Sequence, residues 1–137
     1  MSVEGVPAKR PVGEIMQGGV ATVSPELSLS GFLEWLTGEE ISGAPVVDQN
    51  GVLRGVVSKT DIVSFLTNDA TAVADDVLQS ATVDEIMTED ALTVDISEPI
   101  QDVARKMVDG RMHRVIVVAD GQIRGIVTTF DLLKVLV

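Results

Sequence analysis

The sequence predicts an α+β fold of the α/β type, made of two β-α-β-β-α repeats that pack together about a pseudo-twofold axis. Two observations lead to this prediction. The chain is internally duplicated, and each half contains apolar residues at helical spacing followed by short apolar runs that are typical of strands. Residues 12–16 (VGEIM) are matched by residues 83–87 (VDEIM), and the match continues to Asp61 and Asp131. We therefore expect a tail at 1–10, a first repeat at 11–67, a linker at 68–82 and a second repeat at 83–137.

Each repeat contains one amphipathic helix with apolar residues at the spacing i, i+3, i+4, i+7, which places them on one helical face. These residues are Leu29, Phe32, Leu33 and Leu36 in the first repeat, and Ile100, Val103, Ala104 and Met107 in the second. Gly38 and Gly110 stand near the ends of the two patterns. Glycine is the usual residue in a left-handed C-terminal cap, so we expect both glycines to cap their helices.

Short apolar runs that bracket Asn50-Gly51 and Asp120-Gly121 predict one β-hairpin in each repeat. The expected strands cover residues 20–23, 44–47 and 52–57 in the first repeat, and 91–94, 115–118 and 122–127 in the second. A last helix follows each hairpin, and a short helix is expected at 75–79 of the linker. The apolar residues expected to face inward from the last helices are Ile62, Phe65, Leu66, Leu132, Leu133 and Leu136.

The composition excludes several kinds of site. The chain has 137 residues, no cysteine and one histidine, so it lacks a thiolate metal site, a cysteine nucleophile and a cluster of histidine ligands. Ten Lys and Arg against 21 Asp and Glu give a net charge of −11. This charge repels the phosphate backbone of a nucleic acid, so we do not expect nucleic-acid binding. No apolar run reaches the roughly 20 residues that span a bilayer. We expect a cytoplasmic protein that does not enter a membrane, with no metal site and no catalytic residues.

A second repeated pattern lies where the last strand of each repeat meets the last helix. It consists of a glycine, two β-branched residues, a hydroxyl residue, two variable residues and an aspartate, and it occurs at residues 55–61 and 125–131. A hydroxyl and free N–H groups at a helix start suit a phosphate oxygen, and an aspartate one turn later suits the two hydroxyls of a ribose. The same pattern is typical of a helix cap that satisfies the helix's own N–H groups. Both interpretations remain open at this stage.

The duplicated pattern, together with residues 41–48 (ISGAPVVD) entering the hairpin, resembles the CBS domain, and the two copies resemble a tandem CBS pair, or Bateman module. The resemblance covers residues 11–137, so we expect a stand-alone pair. It implies a regulatory module whose clefts between the repeats bind an adenosine-containing ligand: AMP, ADP, ATP, or in some members S-adenosylmethionine or an NAD-type dinucleotide. No further cofactor is implied.

The resemblance also implies roles for individual residues. Asp61 with Ser58, and Asp131 with Thr128, correspond to the family's ribose-binding aspartate and its neighbouring hydroxyl near phosphate. The adenine would lie against backbone of the opposite repeat: for the Asp131 cleft at Ala21, Thr22, Ile41, Ser42 and Gly43, and for the Asp61 cleft at Leu92, Thr93, Met112 and His113.

Phosphate binding is expected to differ between the repeats. His113-Arg114 matches a His-Arg pair with which some family members neutralise phosphate, and Arg offers a fixed fork of donors. A lone histidine is otherwise an ordinary surface or structural residue. Ser42-Gly43 carry no charge at the corresponding place, and Lys59 is either a partial substitute in the Asp61 cleft or a solvated lysine.

The leading functional hypothesis is therefore a non-enzymatic sensor that binds an adenine nucleotide, forms a homodimer through its last helices and regulates another protein of unknown identity. The alternative is a structural or interaction module that dimerises without a physiological nucleotide.

Overall fold

The computed structural model describes residues 10–39, 43–68, 74–89 and 92–135, which form two compact units. The central unit is Ala21–Asp90, and the terminal unit combines Met1–Val20 with Ala91–Val137. The α+β class and the duplicated organisation predicted from the sequence are confirmed, while the pseudo-twofold packing of the repeats stays a prediction. None of the helices in the described ranges is long and apolar enough to span a membrane.

The central unit is a helix-covered hairpin. Its elements in chain order are α1 (Leu29–Glu39), β1 (Gly43–Val47), β2 (Leu53–Ser58), α2 (Lys59–Asn68), α3 (Ala74–Ser80) and α4 (Val83–Ile86). The strands β1 and β2 pair antiparallel, and Val23 forms a parallel bridge to Val46 beside them. Its core contains the side chains of Leu29, Phe32, Leu36, Val46, Val57, Ile62 and Val83.

The terminal unit has a three-stranded sheet. A 3-10 turn at Val12–Glu14 is followed by β3 (Thr93–Asp95), α5 (Ile100–Asp109), β4 (Arg114–Ala119), β5 (Gln122–Thr128) and α6 (Thr129–Val135). The strand order is β3-β4-β5, with β3 parallel and β5 antiparallel to β4. Its core contains Val12, Val94, Val103, Met107, Val115, Val117 and Val127.

The predicted helical faces are confirmed in α1 and α5. Leu29, Phe32 and Leu36 are fully buried in the central unit, and Ile100, Val103 and Met107 are buried in the terminal unit. Leu33 and Ala104, at the edges of the apolar faces of α1 and α5, are half-buried. The short linker helix also forms, as α3.

Both predicted hairpins are present, with different turns. Asp120 and Gly121 have φ of 53° and 78°, the two positive values that a tight two-residue turn between twisted strands requires. The other turn is longer: Gly51 has φ 82°, and the Asp48 carboxylate accepts from the backbone N–H groups of Asn50 and Val52. The Asp48 carboxylate thus holds this turn by an Asx-type interaction.

Three local predictions were wrong. Gly38 lies inside α1, and Gly110 ends α5 with φ −88°, so neither is a left-handed cap. Leu133 is 56% exposed, because Asp131 takes the inward position in the first turn of α6. The expected strand at residues 20–23 is reduced to the single bridge at Val23. The prediction for Leu136 lies outside the described residues.

A short segment runs beside the last strand in each unit. Gln17 bridges Ile126 of β5, and Thr88 bridges Val56 of β2, each by a pair of backbone hydrogen bonds of 2.8–3.0 Å. A Cβ at Gly125 would lie 2.7 Å from the Gln17 carbonyl, and one at Gly55 would lie 2.6 Å from the Thr88 carbonyl. The glycine that begins each repeated motif is thus required by this close approach.

Candidate functional site

The repeated motif lies at the junction of β2 with α2 and at the junction of β5 with α6. The β-branched pair comes directly before the last residue of each strand, with Val57 and Val127 buried in the two cores. Ser58 and Thr128 are the last strand residues, and Asp61 and Asp131 lie in the first turn of the following helices. The chain therefore brings one hydroxyl and one carboxylate together at each junction.

Both aspartates form a reciprocal helix cap. The backbone N–H and hydroxyl of Ser58 donate to Asp61 Oδ2 at 2.7 and 3.0 Å, and the Asp61 N–H donates back to the hydroxyl at 3.3 Å. Thr128 and Asp131 repeat this arrangement at 2.8, 3.0 and 3.2 Å. The capping interpretation of the motif is confirmed, and it uses only one oxygen, Oδ2, of each carboxylate.

The second oxygen distinguishes the two aspartates. Asp131 is 4% exposed, and its Oδ1 accepts a hydrogen bond from Gln17 Nε2 at 2.9 Å and lies 3.8 Å from Lys134 Nζ. Asp61 is half-buried, and within the described ranges no side chain donates to its Oδ1. Among the described residues, partners thus surround both oxygens of Asp131 and only one oxygen of Asp61.

The environment of Asp131 favours its charged form. Burial raises the pKa of the Asp131 carboxyl, but hydrogen bonds from the Thr128 backbone, the Gln17 amide and the Thr128 hydroxyl, together with the Lys134 charge, outweigh burial. The net pKa lies below the ordinary value for aspartate. Asp131 is therefore a charged acceptor at neutral pH.

A cavity of about 340 Å³ opens beside Asp131 within the terminal unit. Its lining residues are Arg10, Ile15, Gln17, Asp131, Lys134 and Val135. This volume is near the lower limit of small-molecule pockets. Arg10 and Lys134 supply two cations in a strongly acidic chain, so the cavity suits a small ligand that carries negative charge.

The other predicted residues are distributed over both units. Gly43 pairs across from Ser58 at the start of β1, Ala21 and Thr22 are exposed just before Val23, and Lys59 is exposed at the first position of α2. In the terminal unit, Thr93 begins β3 and Leu92 packs against the core. Ile41 and Ser42 lie outside the described residues. The predicted combination of residues from opposite repeats stays a prediction.

His113 and Arg114 are exposed at the start of β4. The His113 carbonyl accepts from the Thr129 N–H at 3.0 Å, which ties this segment to the first residue of α6. His113 and Met112 also line an apolar cavity of about 330 Å³ formed with residues of α5 and α6. Their predicted contacts with phosphate and adenine stay predictions.

Three residues of the Asp131 site were missed by the sequence analysis: Gln17, Arg10 and Lys134. Gln17 is separated from Asp131 by 114 positions, and it reaches the site because it pairs beside β5. One signal for Gln17 was available in the sequence: Gln17 and Thr88 occupy equivalent positions of the two copies. Because the copies are expected to fold alike, a segment that pairs beside the last strand in one copy is expected to do so in the other. Within the described ranges, no group of three His, Asp or Glu side chains could hold a metal.

The CBS domain family model matches residues 12–68 and 83–137. This match covers most of the chain and places both aspartates in corresponding copies, so the protein is a tandem CBS pair. The chain belongs to the CBS domain family.

Relatives support the same assignment. An uncharacterized protein of Methanocaldococcus jannaschii is 29% identical over 92% of this chain and 42% of its own length. The chloroplastic CBS domain-containing protein CBSX2 of Arabidopsis thaliana is 30% identical over 94% of this chain and 66% of its own length. The chain spans 42%, 21% and 39% of the first three curated relatives that it matches.

Solved structures of similar fold include ligand complexes. CBSX2 in complex with AMP is 31% identical, covers 90% of this chain and 93% of its own, and superposes with a TM-score of 0.75. The CBS domain pair of protein MJ0100, solved with 5'-methylthioadenosine and S-adenosyl-L-methionine, is 28% identical over 91% of this chain and 94% of its own, with a TM-score of 0.72. These ligands are properties of the relatives.

Proposed function

We propose that this protein is a non-catalytic regulatory module that binds an adenosine-containing ligand through its ribose hydroxyls and passes the binding state to a partner protein. The observation that carries the proposal is the Asp61 carboxylate, which is fixed through Oδ2 by Ser58 while Oδ1 has no donor among the described residues. A fixed carboxylate with a free oxygen is a ready acceptor for a diol. The AMP and S-adenosylmethionine complexes of relatives support the ligand class.

Regulation requires a difference in ligand affinity between two states of the module. A ligand shifts an equilibrium only by its differential binding free energy, so the partner senses the ligand to the extent that one conformation binds it better. The residues described supply acceptors, cations and an apolar cavity, and they supply no nucleophile paired with a base. The homodimer, the cytoplasmic location and the identity of the regulated partner stay predictions.

The test is a thermal-shift panel of AMP, ADP, ATP, S-adenosylmethionine and NADH. A ligand present at 100 times its Kd stabilises the folded state by about 2.7 kcal/mol, so the preferred ligand raises the Tm by several degrees. The matched variant is Asp61→Asn: its remaining side-chain oxygen can still accept from Ser58, but the other position becomes an NH2 donor that cannot accept from ribose.

The matched ligand control is a 2',3'-dideoxy analogue of the preferred nucleotide, which lacks both hydroxyls. Hydrogen bonds to a charged group contribute about 1.5–3 kcal/mol, so we expect the wild type to bind the analogue roughly tenfold or more weakly. Equal affinity for the two compounds would show that the diol is not recognised.

A second candidate function is association without a nucleotide. Three large apolar side chains on α5 and α6 are exposed: Val108 (75%), Phe130 (62%) and Leu133 (56%). Exposed apolar groups beside an apolar cavity are typical of interaction surfaces. If none of the five compounds shifts the melting curve, this interaction module becomes the better description.

A further inference from the structure

We propose that the two aspartate sites of this chain are not equivalent: Gln17 closes the Asp131 site, and the ligand's ribose is bound at Asp61. This inference rests on the proposed function and goes further, because it assigns one site to the ligand and gives Gln17 the role of a residue that determines site occupancy. The duplication alone would make the two sites alike.

Most acceptor positions of the Asp131 carboxylate are occupied. A carboxylate has about four lone-pair positions. At Asp131, the Thr128 N–H and hydroxyl take two positions on Oδ2, while the Gln17 amide donates to Oδ1 and the Lys134 ammonium lies beside that oxygen. The two hydroxyls of a ribose can both donate to Oδ1 only if the Gln17 amide leaves.

The Asp61 carboxylate has fewer donors. Its Oδ2 holds the same two donors, from Ser58, and within the part of the chain that the structure describes its Oδ1 receives no side-chain donor. Residue 64, which corresponds to Lys134, is a serine, and residue 81, which corresponds to Arg10, is an alanine. Asp61 therefore has no counterpart of Gln17, Lys134 or Arg10 among the described residues.

Side-chain length explains why Gln17 reaches its carboxylate and Thr88 does not. Gln17 lies across from Ile126, and Thr88 lies across from Val56. Directly paired residues place their side chains on the same face of a sheet, and side chains along one strand return to that face every second residue. Gln17 therefore shares a face with Thr128, two positions after Ile126. Thr88 likewise shares a face with Ser58, two positions after Val56. Glutamine has an amide donor at the end of three side-chain bonds, whereas threonine has a hydroxyl one bond from Cβ. Only the longer side chain spans the distance to the helix.

The consequence is competition between Gln17 and the ligand for one oxygen. The apparent affinity of a site that is open for only a fraction of the time is reduced by that fraction. A hydrogen bond from a neutral amide to a buried carboxylate is strong enough to reduce ribose binding at Asp131 by about tenfold or more.

The experiment is isothermal titration of the full chain with AMP. We expect the wild type to bind about one molecule per chain, with binding lost in Asp61→Asn and retained in Asp131→Asn. In Gln17→Thr, which introduces the residue of the equivalent position, the Asp131 oxygen is released and the stoichiometry rises to about two. The reciprocal variant Thr88→Gln should weaken binding at Asp61.

A second measurement tests the closure without any ligand. Carbon-13 NMR of the Asp131 carboxyl follows its titration, and loss of the Gln17 donor in Gln17→Thr should raise its pKa. Among the described residues, the charged groups beside this carboxyl are Lys134 on α6 and Arg10, which lines the same cavity, and both are retained in the variant.

The outcomes separate the inference from the proposed function. Two equal AMP sites in the wild type, or wild-type binding that depends on Asp131, would overturn the inference and leave the proposed function standing. An unchanged Asp131 pKa in Gln17→Thr would also overturn it. Absence of heat from the wild type and all variants, with any of the five panel compounds, would overturn the proposed function, and the inference would fall with it.

Discussion

At the scale of single residues, Asp131 shows how a buried charge is retained. An ionised carboxylate that is 4% exposed would be strongly destabilising without partners. Thr128, Gln17 and Lys134 supply those partners, and their combined effect lowers the pKa of the Asp131 carboxyl despite its burial. Protonation of the native state is therefore harder than protonation of the unfolded chain, and this difference is a contribution to stability.

The sign of this contribution predicts a loss at acid pH. A group with a lowered native pKa stabilises the fold above its unfolded pKa, about 3.9, and the stabilisation is lost as the pH falls through the native pKa. We expect Asp131→Asn to cost about 1–3 kcal/mol at pH 7 and to make stability fall less steeply below about pH 4. Urea unfolding at pH 7 and pH 3 measures both effects.

The control is Asp120→Asn, which removes one charge from an exposed turn where asparagine also tolerates the positive φ. If Asp131→Asn and the control lose the same stability on acidification as the wild type, the Asp131 network makes no acid-dependent contribution.

At the scale of elements, the end of α5 illustrates a cap built without the expected glycine. Gly110 is the last residue with helical geometry, and Arg111 takes the left-handed conformation with φ 54°. The Arg111 N–H donates to the Val108 carbonyl and the Met112 N–H donates to the Met107 carbonyl, which is the pattern of a Schellman motif. Gly110 thus lies one residue before Arg111, the position whose left-handed conformation favours glycine.

This displacement predicts a stabilising substitution. Arg111→Gly removes the steric cost of a Cβ in the left-handed region, about 1 kcal/mol, and we expect a similar increase in the free energy of unfolding. Chemical denaturation measures it. Arg111→Ala is the matched control, because it removes the arginine side chain but keeps the Cβ, and it should give no comparable increase. Equal stabilisation by both variants would assign the effect to the loss of the arginine side chain.

At the scale of the whole molecule, the sequence repeats and the compact units divide the chain differently. Val12 belongs to the first copy of the duplicated sequence, yet it is fully buried in the core of the terminal unit. Val83 begins the second copy and is fully buried in the core of the central unit. The segment at the start of each copy thus completes the core built by the other copy.

This arrangement predicts where two matched mutations act. Val12→Ala should cost about 1–3 kcal/mol and reduce amide hydrogen-exchange protection most in β4 and β5, whereas Val83→Ala should reduce it most in β1 and β2. Native-state hydrogen exchange followed by NMR gives both patterns. A Val12→Ala variant whose protection falls mainly in β1 and β2 would contradict the assignment of residues 10–20 to the terminal unit.

The parts of this fold that depend on local sequence were predictable. The apolar spacing of α1 and α5 and the Asp120-Gly121 turn each require only a few neighbouring residues, and the duplication supplied a second copy as a check. The repeated aspartates were found for the same reason. Leu133 was wrongly placed because periodicity in a helix of seven residues does not determine which face a buried polar group will take.

The contents of the Asp131 site were not predictable in this way. Gln17 and Arg10 join it through pairing and packing over a long sequence separation, and the sequence shows no local pattern for either contact. The sequence could not separate a helix-capping aspartate from a ligand-binding one for a related reason. Both roles use the same aspartate, and the difference lies in the partners of its second oxygen, which come from elsewhere in the chain.

Val12 and Gln17 pack with residues that follow position 91, and this determines the order in which the two units can fold during synthesis. The central unit is one continuous stretch, so all of its chain has been synthesised once residue 90 has emerged from the ribosome. The terminal unit must wait for β5 and α6, and until then the apolar residues near the N-terminus have no core to enter. Val12 therefore stays exposed until the last strand and helix of the terminal unit have been translated.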